Sequence, residues 1–245
     1  MAARARVLAE PGVDALRSAA ADGQRVGSTL NEKAAASLYG GALAAAKLRD
    51  FKLAAAQAAQ LGNLMTKPGP SSASNNATKS GLTQAAAQLA LEVELMAGTV
   101  PPGAAQFDIS KAAQANQRAD LLLQSRALLA TGAGGASGPG GRAADVSSVL
   151  LGWVNARPKD AAAWLLLAQA YGQQGKKVRA IWADAEARVV QMDYTAALDR
   201  LKAAQSRMRS NPGSGDFMDG SIVDTRARQV ESLVREQALQ DKLDR

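Results

Sequence analysis

Residues 153–204 constrain the fold more than any other stretch of this chain. They read WVNARPKDAAAWLLLAQAYGQQGKKVRAIWADAEARVVQMDYTAALDRLKAA. Trp164, Leu167, Ala168 and Tyr171 fall at i, i+3, i+4 and i+7, which is one stripe of a helix. Ala180 and Ala187 follow at spacings that suit small residues between closely packed helices, and Pro158 stands six residues before Trp164. Large side chains beside small ones are what two helices need to interdigitate. A pattern of this kind specifies stacked helical hairpins.

The stripe matches the W-x2-L-G-x2-Y half of a tetratricopeptide repeat, with Ala168 replacing the small Gly. Gly175 is placed to close the first helix, because a residue of positive φ is least strained as Gly. Asp193, Tyr194, Ala197, Leu201 and Ala204 repeat the second-helix half, and Asp50-Phe51-x2-Ala54 echoes it near the start, after Leu38, Gly41 and Ala42. Two positions depart from the pattern. Asp184 stands where a large apolar residue is usual, and Met192 where Pro is usual, which leaves the repeat register open over 176–192.

Hydrophobic residues are 47% of the 245, much of it Ala, while aromatics are only 4%. Ala is the best helix former and a poor strand former. No window alternates with period two. An all-α antiparallel solenoid of helical hairpins with no sheet is expected, large enough to bury a core.

The chain has no Cys and no His. Disulfides are excluded, and so are His-based zinc sites, general bases and triads within these residues. No catalytic, metal or cofactor-binding residue is therefore assigned. No apolar run reaches about 18 residues, so no membrane span is expected. The net charge of +7 comes from dispersed Lys and Arg without an aromatic stripe, which argues for a solvated basic surface and against nucleic acid. The Gly-rich segment 131–141 has no following Lys-Ser or Lys-Thr and no preceding strand, so it does not read as a phosphate loop. Asp184 and Glu186, two residues apart, point to different helix faces and read as structural acids rather than as a catalytic pair.

The organisation expected along the chain has four blocks. Residues 1–66 form helical hairpins, with pieces at 3–9 and 13–22, a capping box Thr29-x-x-Glu32 opening a helix to about Arg49, and Asp50 capping the next. Residues 67–80 have linker composition and are expected to be mobile. Residues 81–210 form degenerate hairpins: a helix from about Leu82 to Gly98, one of about twenty residues from Ser110, the Gly-rich loop, a stripe of Val146, Val149, Leu150, Trp153 and Val154, and helices at 160–173, 177–191 and 194–210. Residues 211–245 supply a capping helix over about 217–242, with Val223, Ala227, Val230 and Val234 inward and Glu231 paired to Arg235.

The C-terminal part resembles a particular family. Trp164, Gln169-Ala170-Tyr171, Gly175, the run from Ala183 to Ala187, Asp193-Tyr194, Ala197, Asp199-Arg200-Leu201 and Ala204-Gln205 are similar to the repeat region of periplasmic zinc metallopeptidases of the beta-barrel assembly-enhancing protease type. So are Asp216-Phe217, Ser221, Ile222 and Asp224-Thr225-Arg226, while Met1 to Leu8 resembles the passage from protease domain to repeats. The resemblance covers about 158–235 well, reaches 1–60, and is thin over 67–142. It implies a periplasmic setting in a Gram-negative bacterium and a role in quality control of outer-membrane proteins. Partners would be the outer-membrane assembly machinery or unfolded clients. The family's HExxH and its downstream Glu are absent, so the resemblance implies the non-catalytic part, with zinc only in a protease domain outside these residues. It further implies that Met1 is not the native start. The competing reading is a free-standing repeat scaffold with no enzyme attached.

Stacked hairpins line a groove with the first helix of each pair. Off the core stripe of the helix at 160–173 lie Gln169 and Gln173, one turn apart, with Leu165 beside them. These three are the expected groove residues, since a Gln amide both donates and accepts toward peptide backbone.

Overall fold

The computed structural model describes residues 2–9, 12–27, 31–66, 76–101, 104–132, 141–210 and 217–244. Among them every regular element is helical and none is a strand. The chain divides into two compact units, with the boundary between residues 102 and 103.

The first unit holds α1 (Ala2–Leu8), α2 (Val13–Gln24), α3 (Glu32–Lys47), α4 (Phe51–Thr66) and α5 (Asn76–Met96). Helix α3 is central, packing against α1, α2, α4 and α5. Residues 40–46 are buried on every side, and six of these seven are Ala or Gly, the exception being Leu43. A helix apolar all round belongs inside a core. Small side chains let its neighbours approach closely. Gly41 shows how closely: a Cβ there would lie 2.6 Å from Gln57 Oε1 and 3.0 Å from both Ala19 O and Gly23 Cα. Gln57 is itself buried at 2% exposure, and its Nε2 donates to Ala20 O at 2.8 Å. Polar contacts tie α1 down. Arg4 donates to both carboxylate oxygens of Glu92 (2.6 and 3.0 Å) and to the Tyr39 hydroxyl, and Lys47 Nζ donates to Val7 O.

The second unit begins with a 3-10 turn (Ala104–Gln106). It continues through α6 (Ile109–Gln114), α7 (Arg118–Gly132), α8 (Gly141–Ala156), α9 (Ala161–Gln173), α10 (Lys177–Val190), α11 (Tyr194–Ser210) and α12 (Phe217–Leu243). Each helix from α6 onward packs on the next in sequence, and α7 also meets α9, as α10 meets α12. Helix α10, which covers most of 176–192, packs on α9 before it and on α11 after it.

One turn chemistry recurs. Arg49, Gly98, Asn116, Gly175 and Met192 all have positive φ, between 56° and 74°. After each, the next N–H reaches back to the carbonyl five residues earlier, as Lys176 does to Tyr171 at 3.0 Å and Asp193 to Arg188 at 3.0 Å. This is the Schellman ending, which satisfies the last orphan carbonyls of a helix. It explains the departure at Met192, since Pro is locked near −65° and cannot reach a φ of 62°. An Asp follows two of these turns and caps the next helix: Asp50 accepts from Leu53 N (3.1 Å) and Asp193 from Ala196 N (3.2 Å). The echo between Asp50-Phe51 and Asp193-Tyr194 is therefore a repeat of geometry, with Ala54 and Ala197 both fully buried.

Several expected boundaries move. The cap of α3 is Asn31, whose Oδ1 accepts from Ala34 N at 2.7 Å, so Glu32 is the first helical residue rather than the far end of a capping box. Thr29 lies outside the described residues. Residues 76–80 form the opening turn of α5 instead of linker, and residues 67–75 lie outside the described residues. Helix α5 packs on α3 and α4 and so belongs to the first unit. The long helix expected from Ser110 is two, broken at Asn116, whose φ of 56° ends α6 before Arg118 starts α7. Of the Gly-rich segment, Thr131, Gly132 and Gly141 are helical, and 133–140 lies outside the described residues. No helix among the described residues is long and apolar enough to cross a membrane.

Candidate functional site

The core stripe of α9 sits as its spacing requires. Trp164, Leu167 and Tyr171 are buried, and Ala168 packs half-buried against the same cluster as Ala180 and Ala187. The Trp164 indole Nε1 donates to Pro158 O at 2.9 Å, which accounts for the six-residue spacing. Its ring meets Trp182 edge-on, with centroids 5.3 Å apart and planes at 84°, the geometry that aromatic quadrupoles favour. Ala197 and Leu201 are fully buried in the next cluster, with Tyr194 half-buried against it.

The three expected groove residues do not form one site. Gln173 is committed elsewhere: its Nε2 donates to Leu129 O at 3.0 Å, supplying one of the last carbonyls of α7 with a partner. Gln169 is exposed on α9. Leu165, 45% exposed, lies at the edge of a hollow that Gln173 does not line.

That hollow, about 820 Å³, sits at the turn from α8 into α9. Asp160 organises it. Arg118 Nε and Nη2 donate to its two oxygens (2.8 and 2.7 Å), Trp153 Nε1 donates at 3.0 Å, and Ala163 N at 3.3 Å. Burial pushes the Asp160 carboxyl up, but the hydrogen bonds from Arg118, Trp153 and Ala163 outweigh it, and the group titrates below the usual carboxylate value. The same pairing, against some burial, raises Arg118 and keeps it cationic. Arg157 lies over the Trp153 ring at 4.0 Å and donates to Asn116 Oδ1 at 2.6 Å.

A second opening is apolar. Leu151 of α8, Tyr171 of α9, Val178 and Trp182 of α10, and Ile222 and Val223 of α12 line a cleft of about 240 Å³. Arg179 and Asp219 stand at its edge, paired through Arg179 Nε at 2.9 Å to each oxygen. The Tyr171 hydroxyl titrates above its usual value, chiefly because it is buried, with Arg179 opposing the shift and Asp219 adding to it. One heptad along, Arg226 donates through Nε and Nη2 to both oxygens of Glu186 at 2.7 Å, and Trp182 Nε1 donates to the same carboxylate. The two ion pairs have opposite sense: α10 carries Arg179 then Glu186, and α12 carries Asp219 then Arg226. A seven-residue slip would set like charges together, so the pairs define the register that shapes the cleft. Asp184, the other departure from the repeat pattern, accepts from Arg200 of α11 at 3.0 Å. Each of the two acids is thus held in an ion pair to a different helix, α11 for Asp184 and α12 for Glu186.

Trp182 and the Arg179–Asp219 pair carried no functional reading in the sequence. A Trp outside the repeat stripe was the available signal for the first. The pair spans 40 residues, and nothing local announces it. Chemically, the cleft can bury one apolar side chain, and the hollow presents cations above an apolar floor. No group of three or more possible metal ligands lies together among the described residues. No protein-family model matches the chain, and no curated protein matches it.

Proposed function

We propose that this chain is a non-catalytic protein-interaction module that holds partner segments in the α8–α12 cleft. The carrying observation is the cleft itself. The apolar stripes of these helices are spent on one another, yet Leu151, Trp182 and Ile222 remain around an opening where a partner could bury surface. Its volume of about 240 Å³ is below the range of about 300–1,000 Å³ usual for whole small molecules and suits one anchor side chain. The resemblance over 158–235 supports a setting as the repeat region of a periplasmic HExxH zinc metallopeptidase, engaging clients or outer-membrane assembly proteins. Zinc would belong to the protease domain.

The test uses a photo-crosslinking amino acid at Ile222, 47% exposed on the cleft, and a control at Met192, 67% exposed on the α10–α11 turn. In a Gram-negative periplasm, adducts with outer-membrane assembly proteins or their clients should form from position 222 and not from 192. Equal adducts from both, or none, would overturn the assignment. The reading frame upstream of Met1 tests the setting: HExxH with a signal peptide supports the metallopeptidase, and a frame without them supports the free-standing scaffold.

A further inference from the structure

The hollow at the α8–α9 turn is distinct from the cleft in character and in residues. We infer that it docks an acidic segment of a partner protein that sets one apolar side chain on Leu165. Its charge is complementary to an anionic chain. Arg118, Arg157 and Lys159 stand around the hollow, and the one anion in its lining among the described residues, Asp160, is 8% exposed and already accepts four hydrogen bonds. The field presented to an incoming chain is positive, in a molecule with a net charge of +7.

Two of these cations are preorganised. Long cationic side chains usually lose rotamer freedom when they bind. Here Arg118 is already held by two bonds to Asp160, and Arg157 by its stacking on Trp153 and its bond to Asn116. Lys159 is exposed and supplies an adaptable third cation.

The floor decides between classes of polyanion. Pro158, Ala161, Ala162 and Leu165 make it apolar, with Leu165 exposed at 45%. A phosphodiester backbone has no use for such a floor. Single-stranded nucleic acid needs an open aromatic face for stacking, and the Trp153 ring, 3% exposed, lies beneath Arg157. An acidic peptide with one bulky apolar residue uses both features. At about 820 Å³ the hollow also has room for more than a single side chain.

The experiment is fluorescence anisotropy on the full chain with labelled short probes: a Glu/Asp peptide with a central Leu, the same peptide with Ala at the centre, a Lys/Arg peptide with the central Leu, and an RNA oligonucleotide of matched charge. The Leu-centred acidic peptide should bind best and lose its affinity in about 1 M salt, where the Debye length is about 3 Å. Lys159→Glu and Leu165→Ser should each weaken it by about tenfold, with melting temperatures unchanged because both side chains are exposed. Ile222→Asp should leave it unaffected, so failure here and failure of the cleft assignment are separately visible. The inference is overturned if the acidic peptide binds no better than the basic one, if neither Lys159→Glu nor Leu165→Ser weakens it, or if RNA binds more tightly and is indifferent to Leu165→Ser.

Discussion

The core of the first unit is rich in Ala and holds no Trp among the described residues, whereas that of the second holds Trp153 and Trp164 with Trp182 packed against them. In the first, Ala42, Ala44, Ala45 and Ala46 of α3 sit at 0–1% exposure, and backbones approach until Gly23 and Gly41 leave room only for Gln57 between them. In the second, Trp153, Trp164 and Trp182 span the distances between helices. Small side chains allow close approach and leave little unfilled space. Large flat ones hold helices apart, and the spaces they do not fill open to solvent. Both the apolar cleft and the basic hollow lie in the aromatic unit. In the second unit the cleft is lined by such bulky groups, Tyr171 and Trp182 among them, whose imperfect interdigitation leaves space between helices.

This contrast can be broken at its strongest point first. Trp164→Ala should cost about 3–5 kcal/mol in urea denaturation, the range for large aromatic truncations in cores. A cost below about 1 kcal/mol would mean that Trp164 does not hold α9 against α10.

Gly41→Ala tests the other unit. Ala normally stabilises a helix over Gly by about 1 kcal/mol, but a Cβ at 41 would press on backbone at 3.0 Å as well as on Gln57. The substitution should destabilise by about 2 kcal/mol through overpacking. The same change at Gly152 of α8, where nothing lies within 4 Å, should have the opposite sign and stabilise by about 0.5–1 kcal/mol. Matching signs at the two positions would end the claim that the first unit is the more tightly packed.

Acid sharpens the comparison. The Asp160 carboxyl titrates below its ordinary value in the folded chain. Between the folded and unfolded values the unfolded chain therefore binds more protons. The stabilisation is full at neutral pH and is lost as pH falls below about 4, the ordinary carboxylate range, toward the folded value. Trp153 fluorescence should report the loosening of its hydrogen bond in that window, and Asp160→Asn should remove the pH dependence. A Trp153 signal that stays flat through acid in the parent chain would show that Asp160 is not the hub of that turn.

Much of the second unit was legible because its signals are local. The i, i+3, i+4, i+7 stripe at Trp164 identifies a buried face, Asp193 announces a helix start, and Gly175 marks an end, each within a few residues of where it acts. The first unit was less legible. Ala reports helix but not which face is buried, so nothing in the sequence told α3 from its neighbours as the central helix. Asn116 and Asn31 show why boundaries moved: an Asn can take positive φ or cap a helix, and neither use is visible until the neighbouring helices are placed.

The groove residues mark the limit of local reasoning. Gln169 and Gln173 lie one turn apart on α9, but Gln173 serves Leu129 O, 44 residues away in sequence. By themselves, the residues determined that the chain is helical, that it lacks any His or Cys chemistry, and that α9 buries its Trp face. Those properties follow from side-chain type and spacing along one helix. Only the tertiary structure decided the division into two units, the swapped ion pairs between α10 and α12, and the two openings. They depend on side chains some 40 residues apart meeting across packed helices, and helical periodicity carries no information about which of them will meet.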